Sequence, residues 1–298
     1  MIKKDKSSVT FNLNGTPRTV FSSQIRRFSN VLREDLGLIG TKVGCDAGDC
    51  GACTILINGE QRYACLTATG QLDGCAVTTV EGLSKNGKLT PLQHSFLEEG
   101  AAQCGICTPG MLMAAQSLLN QVQNPSKDQV LDALSGVLCR CTGYSKIVKA
   151  VLNSVQKPTL ISYPEVGNAV GSRMVKVDGY KKLTGEEIFA ADKAPENSLW
   201  LRTIRSPHAR ARFSLNNPEK AMKKFSGLVK VFTADDVPGN NGFGIYPHIK
   251  DQPVLAKDSV RFRGEAVAAL VGDRESVESV TEEDLNLTWE PLKQCAVG

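Results

Sequence analysis

Alternation opens the chain. Val9, Phe11 and Leu13 are separated by polar residues, the period-two pattern of a half-buried strand, and Asn14-Gly15 offers a type I′ turn into Thr19-Val20-Phe21. A β-hairpin is predicted. From Ser23 the spacing becomes helical, with Ile25, Val31, Leu32 and Leu36 on one face, Ser22 or Ser23 as N-cap and Gly37 as the stop. Thr54 to Ile57 reads as a strand, Asn58-Gly59 as a second tight turn, and Tyr63 to Cys65 as the returning strand. Val77 to Val80 is strand-like. Past residue 81 the period is helical. Pro91 opens a helix through Leu92, Phe96 and Leu97 that stops at Gly100, and Met111, Leu112, Ala115, Leu118 and Leu119 mark a longer one. Ser126-x-x-Gln129 is a capping box ahead of Val130, Leu131, Leu134 and Leu138, and a last helix runs from about Ser145 through Val155. Four such segments predict a bundle.

Lys157-Pro158 through Gly171 is rich in Pro, Gly and Ser, lacks periodicity and reads as a linker. Beyond it strands and helices mix. Gly185 to Ala191 reads as a short helix or turn. Leu199–Leu201, Leu228–Phe232 and Ala266–Val271 read as strands, and Thr233–Val237 as a capped turn. Glu275–Glu283 reads as a helix and Leu285–Trp289 as an edge strand. The expected fold class is α+β and multidomain, with domains at residues 1–80, 81–157 and 173–298 and the linker at 158–172.

Composition excludes more than it selects. Of 298 residues, 41% are apolar and 22% charged, ordinary for a globular chain with real cores. The net charge of +4 is small, and Arg202, Arg205, Arg210 and Arg212 alternate with apolar residues, so no nucleic-acid footprint is expected. No run of eighteen apolar residues exists, and Met1 to Asn14 lacks the apolar stretch of a signal peptide. No membrane span is expected, and the expected location is cytoplasmic.

The cysteines carry the chemistry. Eight of ten form two constellations: Cys45-x4-Cys50-x2-Cys53 closed by Cys65, and Cys104-x2-Cys107 closed by Cys139-x-Cys141. Each supplies four thiolates, enough for one Fe–S cluster, and the first has the plant-type ferredoxin spacing. Three glycines in Gly44–Cys53 permit the curled backbone and close approach that a cluster demands. Zinc is the competing reading, but zinc motifs more often pair two short knuckles, which the first set does not. A secreted disulfide framework is disfavoured by the spacings and the missing signal, and reduced thiols awaiting iron suit the cytosol. Cys75, ahead of Val77–Val80, is expected to be a buried structural thiol, and Cys295 an exposed, oxidisable one.

The hairpin, helix and cysteine loop resemble the β-grasp of plant-type ferredoxins. More widely, Gly44-Cys45-x4-Cys50-Gly51-Ala52-Cys53, Gln103-Cys104-Gly105-x-Cys107-Thr108-Pro109-Gly110 and Cys139-Arg140-Cys141-Thr142-Gly143-Tyr144 resemble the iron–sulfur half of the molybdenum hydroxylases. That is the xanthine dehydrogenase and aldehyde oxidoreductase family. The resemblance implies two [2Fe–2S] clusters, the second in a four-helix-bundle domain nearest the molybdenum cofactor. It implies that Gln103 and Cys141 touch the pterin, although Gln103 reads equally as a cap on the cluster loop. Arg205-Ser206-Pro207-His208-Ala209, Phe232-Thr233-Ala234-Asp235-Asp236-Val237-Pro238-Gly239 and Val260-Arg261-Phe262-Arg263-Gly264-Glu265 resemble the opening, hammerhead-like α/β domain of the molybdenum-binding half. His208, beside Pro207 and without a second histidine, reads as packing or turn rather than catalysis, and His94 and His248 are equally solitary.

By the same resemblance, the pterin loops and the catalytic glutamate belong beyond this chain, so no catalytic residue is expected in it. Molybdopterin would be held mainly by a further C-terminal part or by a partner molybdenum-binding subunit. Flavin (FAD) would sit on a separate subunit, since no flavin segment separates residues 157 and 171. The expected function is electron transfer from molybdopterin through both clusters to a flavin or external acceptor, during hydroxylation of an aldehyde or an N-heterocycle of the purine or nicotinate type. The rivals are a stand-alone two-cluster electron carrier and a zinc-stabilised interaction module.

Overall fold

The structure is a computed structural model that describes residues 6–155, 163–172 and 174–293. Two compact units divide the chain, Met1–Lys193 and Ala194–Gly298.

The hairpin forms as its alternation predicts. Strands β1 (Lys6–Leu13) and β2 (Thr16–Ser23) pair antiparallel with Val9 opposite Val20. Asn14 at φ 52° and Gly15 at φ 84° supply the two left-handed residues of the type I′ turn. The predicted helix starts later than its spacing indicates. Ser22 and Ser23 still pair with Ser7 and Lys6, so neither caps a helix, and Ile25 is 86% exposed. Helix α1 (Phe28–Asn30) runs into a π-helical turn, Val31–Asp35, and Gly37 at φ 67° turns the chain away. This short element buries Phe28, Val31 and Leu32, with Phe28 edge-on to Phe11 at 5.3 Å.

Strands β3 (Thr54–Ile57), β4 (Glu60–Tyr63) and β5 (Ala76–Thr78) complete a five-stranded sheet of order β2-β1-β5-β3-β4. Its β1–β5 pair is parallel and the rest antiparallel. Because β4 ends at Tyr63, Cys65 lies just past the strand, in a turn.

Four helices follow: α2 (Pro91–Glu98), α3 (Thr108–Gln121), α4 (Lys127–Leu134) and α5 (Ser145–Asn153). Thr90 with Gln93 and Ser126 with Gln129 form capping boxes. Leu92, Phe96, Met111, Leu112, Leu134 and Ile147 are fully buried between the helices, each contributing on the order of 1.5–3 kcal/mol.

The segment beyond the linker departs from its expected course. Gly185, read as the start of a helix or turn, is the left-handed end (φ 84°) of one that begins six residues earlier, α6 (Gly179–Thr184). That helix buries Leu183 in the helical core, and Gln93 Nε2 donates to the Leu183 carbonyl at 2.9 Å. A 3₁₀ turn, Ala190–Asp192, ends the first unit.

The second unit holds β6 (Trp200–Arg205), β7 (Ala211–Leu215), α7 (Lys220–Lys224), β8 (Leu228–Phe232), β9 (Ser259–Val260), β10 (Ala266–Gly272), α8 (Arg274–Ser279) and β11 (Leu287–Pro291). Two antiparallel three-stranded sheets, β6-β10-β8 and β11-β7-β9, enclose Ile204, Val231, Val260, Leu270 and Leu285. Helix α8 stops at Ser279 rather than Glu283, because Val280 is extended and Thr281 opens a separate turn closed by Asp284.

Candidate metal centres

The loop Gly44–Cys53 curls through left-handed backbone at Asp46 (φ 54°), Gly48 (φ 83°) and Gly51 (φ 66°). The curl turns three amides inward. The N–H groups of Ala47, Asp49 and Cys50 donate to Cys45 Sγ at 3.3, 3.3 and 3.4 Å. These bonds, that of Cys50 first, lower the Cys45 thiol to about 6, so its thiolate is favoured. Cys45 lies against Cys50, and Cys53 against Cys65. Burial pushes the Cys53 thiol up to about 12, and burial followed by the charges of Cys53, Cys50, Cys65 and Cys45 raises the Tyr63 phenol. All four thiols therefore lie near enough to Tyr63 to act on its phenol. A Cβ on Gly44 would stand 2.9 Å from Cys50 Sγ and push that thiol aside.

The second set is assembled from two turns. Cys104 and Cys107 precede α3, with Cys107 as its N-cap residue, and Cys139 and Cys141 lie between α4 and α5. Cys107 meets Cys139, and Cys104 meets Cys141. Burial raises the Cys107 thiol. At Cys139 burial also acts upward, but the hydroxyl of Thr142, 3.1 Å away, and the Thr142 amide outweigh it and lower the thiol. Tyr144, itself at φ 65°, accepts the Cys139 N–H at 3.0 Å and donates to the Val137 carbonyl.

Both sets thus divide into two pairs of sulfurs: 45 with 50 and 53 with 65, then 104 with 141 and 107 with 139. Two facing thiol pairs, amides aimed at sulfur and glycine cradles fit a di-iron cluster, with one pair for each iron. A lone tetrahedral zinc needs all four ligands on one centre.

The two sites adjoin through backbone. Leu138 N–H donates to the Cys50 carbonyl at 2.9 Å, and Tyr63 OH donates to the Gly136 carbonyl at 2.8 Å. A Cβ on Gly51 would overlap the Gly136 carbonyl, and one on Gly110 would stand 2.5 Å from the Gly51 carbonyl. Tyr63 lies outside the cysteine motifs, whereas Gly51 and Gly110 both stand within them.

Gln103 and Cys104 line a cleft of about 700 Å³ with Gly100, Lys146, Lys176 and Lys182. The Gln103 carbonyl accepts from Lys182 Nζ at 3.0 Å and from Lys176 Nζ. Sequence reasoning missed both lysines. Only the Asp178…Lys182 spacing of four, a helical ion-pair signal, could have flagged them. Cys75 is half-exposed rather than buried, because it sits on the turn into β5 between the exposed Gly74 and Ala76. Cys295 lies outside the described residues. The His208 ring packs edge-on against Trp289 at 5.5 Å, and its backbone N–H donates to Ser206 Oγ at 3.0 Å, a packing and turn role. His94 faces Glu98, and His248 lies beside the Tyr246 ring.

Comparison with known proteins agrees with this geometry. Residues 11–72 match the 2Fe-2S iron-sulfur cluster binding domain, and residues 79–152 match the [2Fe-2S] binding domain. Residues 184–293 match the a/b hammerhead domain of aldehyde oxidase and xanthine dehydrogenase. The nicotinate dehydrogenase small FeS subunit of Eubacterium barkeri is 44% identical over 153 residues, 51% of this chain and 98% of that protein. The aldehyde oxidoreductase of Megalodesulfovibrio gigas is 32% identical over 301 residues, 94% of this chain but 33% of that protein. The solved aldehyde oxidoreductase of Desulfovibrio desulfuricans superposes with a TM-score of 0.82 at 31% identity, over 97% of this chain and 34% of that one. The chain thus spans about a third of the aldehyde oxidoreductases and nearly the whole of the nicotinate dehydrogenase subunit. It belongs to the molybdenum hydroxylase family of xanthine dehydrogenases and aldehyde oxidoreductases, of which it carries the two [2Fe–2S] domains and the opening hammerhead domain.

Proposed function

We propose that this chain relays single electrons from a molybdopterin centre, through the Cys104-side cluster and then the Cys45-side cluster, to a flavin or external acceptor. The observation that carries it is the pair of four-thiol sets joined by the hydrogen bond from Leu138 N–H to the Cys50 carbonyl, with Leu138 covalently next to Cys139. In this reading Cys45 with Cys50 and Cys53 with Cys65 hold the irons of one cluster, and Cys104 with Cys141 and Cys107 with Cys139 those of the other. Bound clusters supply one-electron chemistry. The chain's own contribution is to stabilise thiolate charge with the amides of Ala47, Asp49 and Cys50, and to bury Cys53, Cys65 and Cys107 away from water.

Gln103 and Cys141 are the residues that would touch the pterin; the cleft that Gln103 and Cys104 line supports the first, and Cys141 is not part of that lining. The remaining molybdenum-binding part would come from further polypeptide or a partner subunit, with flavin on a separate subunit; relatives named as small subunits support such partners. The substrate class is an aldehyde or an N-heterocycle, in line with the names of the relatives. Among the described residues no helix is long and apolar enough to cross a membrane, and thiols that must stay reduced until loaded favour the cytoplasm.

Metal analysis and low-temperature paramagnetic resonance of the dithionite-reduced chain test the relay. The expected result is four irons per chain, a red-brown colour and two spin systems. Zinc in place of iron, or one spin system, would overturn it. Copurification of molybdenum with an untagged partner separates the relay from a stand-alone electron carrier, a reading that leaves the hammerhead domain without a purpose.

A further inference from the structure

Lys182 arrives from α6, yet it encloses the ligand turn before α3. Its side chain is 6% exposed. Its stem runs over Gly105, between the ligands Cys104 and Cys107, so closely that a Cβ on Gly105 would lie 2.8 Å from Lys182 Cγ and Cδ. Its ammonium ends on the Gln103 carbonyl, one residue before Cys104, at 3.0 Å. Lys176 reaches the same carbonyl, and Asp178 is ion-paired to both lysines. Two ammoniums and the Asp178 carboxylate thus lie at this turn, with Lys146, Glu98 and Glu99 further along the same cleft.

We infer that Lys182 tunes the second cluster, raising its reduction potential by holding a buried positive charge against the Gln103–Cys107 turn. The inference rests on the cluster reading above. Reduction adds one negative charge to the cluster, and a fixed cation in a poorly solvated place favours that state. Asp178 opposes Lys182, so it sets how much of the charge is felt.

The test is a redox titration of the loaded chain followed by paramagnetic resonance, with the second spin system identified as the one lost in Cys107→Ser. Lys182→Met keeps the stem and removes the charge. The second midpoint should fall by about 59 mV, a tenfold change in the one-electron equilibrium. Asp178→Asn should raise it, the double variant should return it close to the parent value, and Lys182→Arg should preserve it. The first midpoint is the internal control. If Lys182→Met fails to load, Asp178→Asn decides alone: a rise supports the inference and no rise overturns it. Two spin systems with an unmoved second midpoint, or both single variants shifting it the same way, also overturn it. Loss of a spin system from the parent chain would instead remove the cluster reading.

Discussion

The two cysteine sites gather four thiols each from different materials. At the first, three of the four cysteines and the amides aimed at Cys45 come from one curled loop, Gly44–Cys53, so backbone does most of the work. At the second, two turns far apart in sequence are brought together by helix packing. Side chains finish the job: Thr142 on Cys139, Tyr144 on the Cys139 amide, and Lys182 over Gly105. The difference teaches that a ligand set written in one loop is locally specified, whereas one divided between helices is only as good as the packing behind it.

Ligand removal tests that comparison most severely. Cys53→Ser and Cys107→Ser should each lower iron from four to two per chain and abolish one spin system while sparing the other. If either substitution empties both sites, they are not independent pieces of structure.

A second test concerns the segment that follows the linker, which anchors at both domains. Next to the first loop, Asp192 pairs with Lys42 at 2.9 Å and with Arg33, and the side chains of Asp192 and Lys42 are each 4% exposed. Asp192→Asn leaves two cations poorly compensated and should destabilise the chain by about 3 kcal/mol, read as an earlier loss of cluster absorbance in denaturant. Burial alone would raise the Asp192 carboxyl, but the Phe189 amide, Arg33 and Lys42 outweigh it and hold the group below its usual 3.8. The sign follows from linkage. The stabilisation is fully present above that usual value and is lost as pH falls through the lower folded value. The gap between parent and variant should therefore be constant near neutrality and close only in acid.

The mildest test contrasts two left-handed glycines. Gly51→Ala must adopt φ 66° and displace the Gly136 carbonyl, so a loss of about 2–3 kcal/mol is expected, read as a lower denaturation midpoint. Gly143→Ala, at φ 57° with open space around it, should lose only the backbone term of about 1–2 kcal/mol. Equal losses would mean that the contact between the domains is not tight.

Much of the iron–sulfur unit is legible in the sequence. Asn14-Gly15 and Asn58-Gly59 announced their hairpins because type I′ turns need two left-handed residues, which asparagine and glycine adopt most cheaply. Thr90, Pro91 and the Ser126–Gln129 box marked helix starts because orphan N–H groups demand a partner within a few residues. Periodicity starts the first helix too early because it cannot register that Ser22 and Ser23 are already used by a strand ladder. The half-exposure of Cys75 is not legible in the sequence, because burial depends on what lies opposite and not on neighbours in the chain.

The sequence by itself determined which eight sulfurs are available, the order of hairpin and helices, and the curl of the first loop. These depend on turn chemistry and spacing over a few residues. Only the tertiary structure decided which sulfur faces which, how Cys50 meets Leu138, and that the stretch around Lys182 and Asp192 belongs with the iron–sulfur unit. The Lys182 and Asp192 contacts join residues 79 and 150 positions apart. They are selected by burial and charge pairing across the assembled fold, forces that leave no periodic mark on the chain.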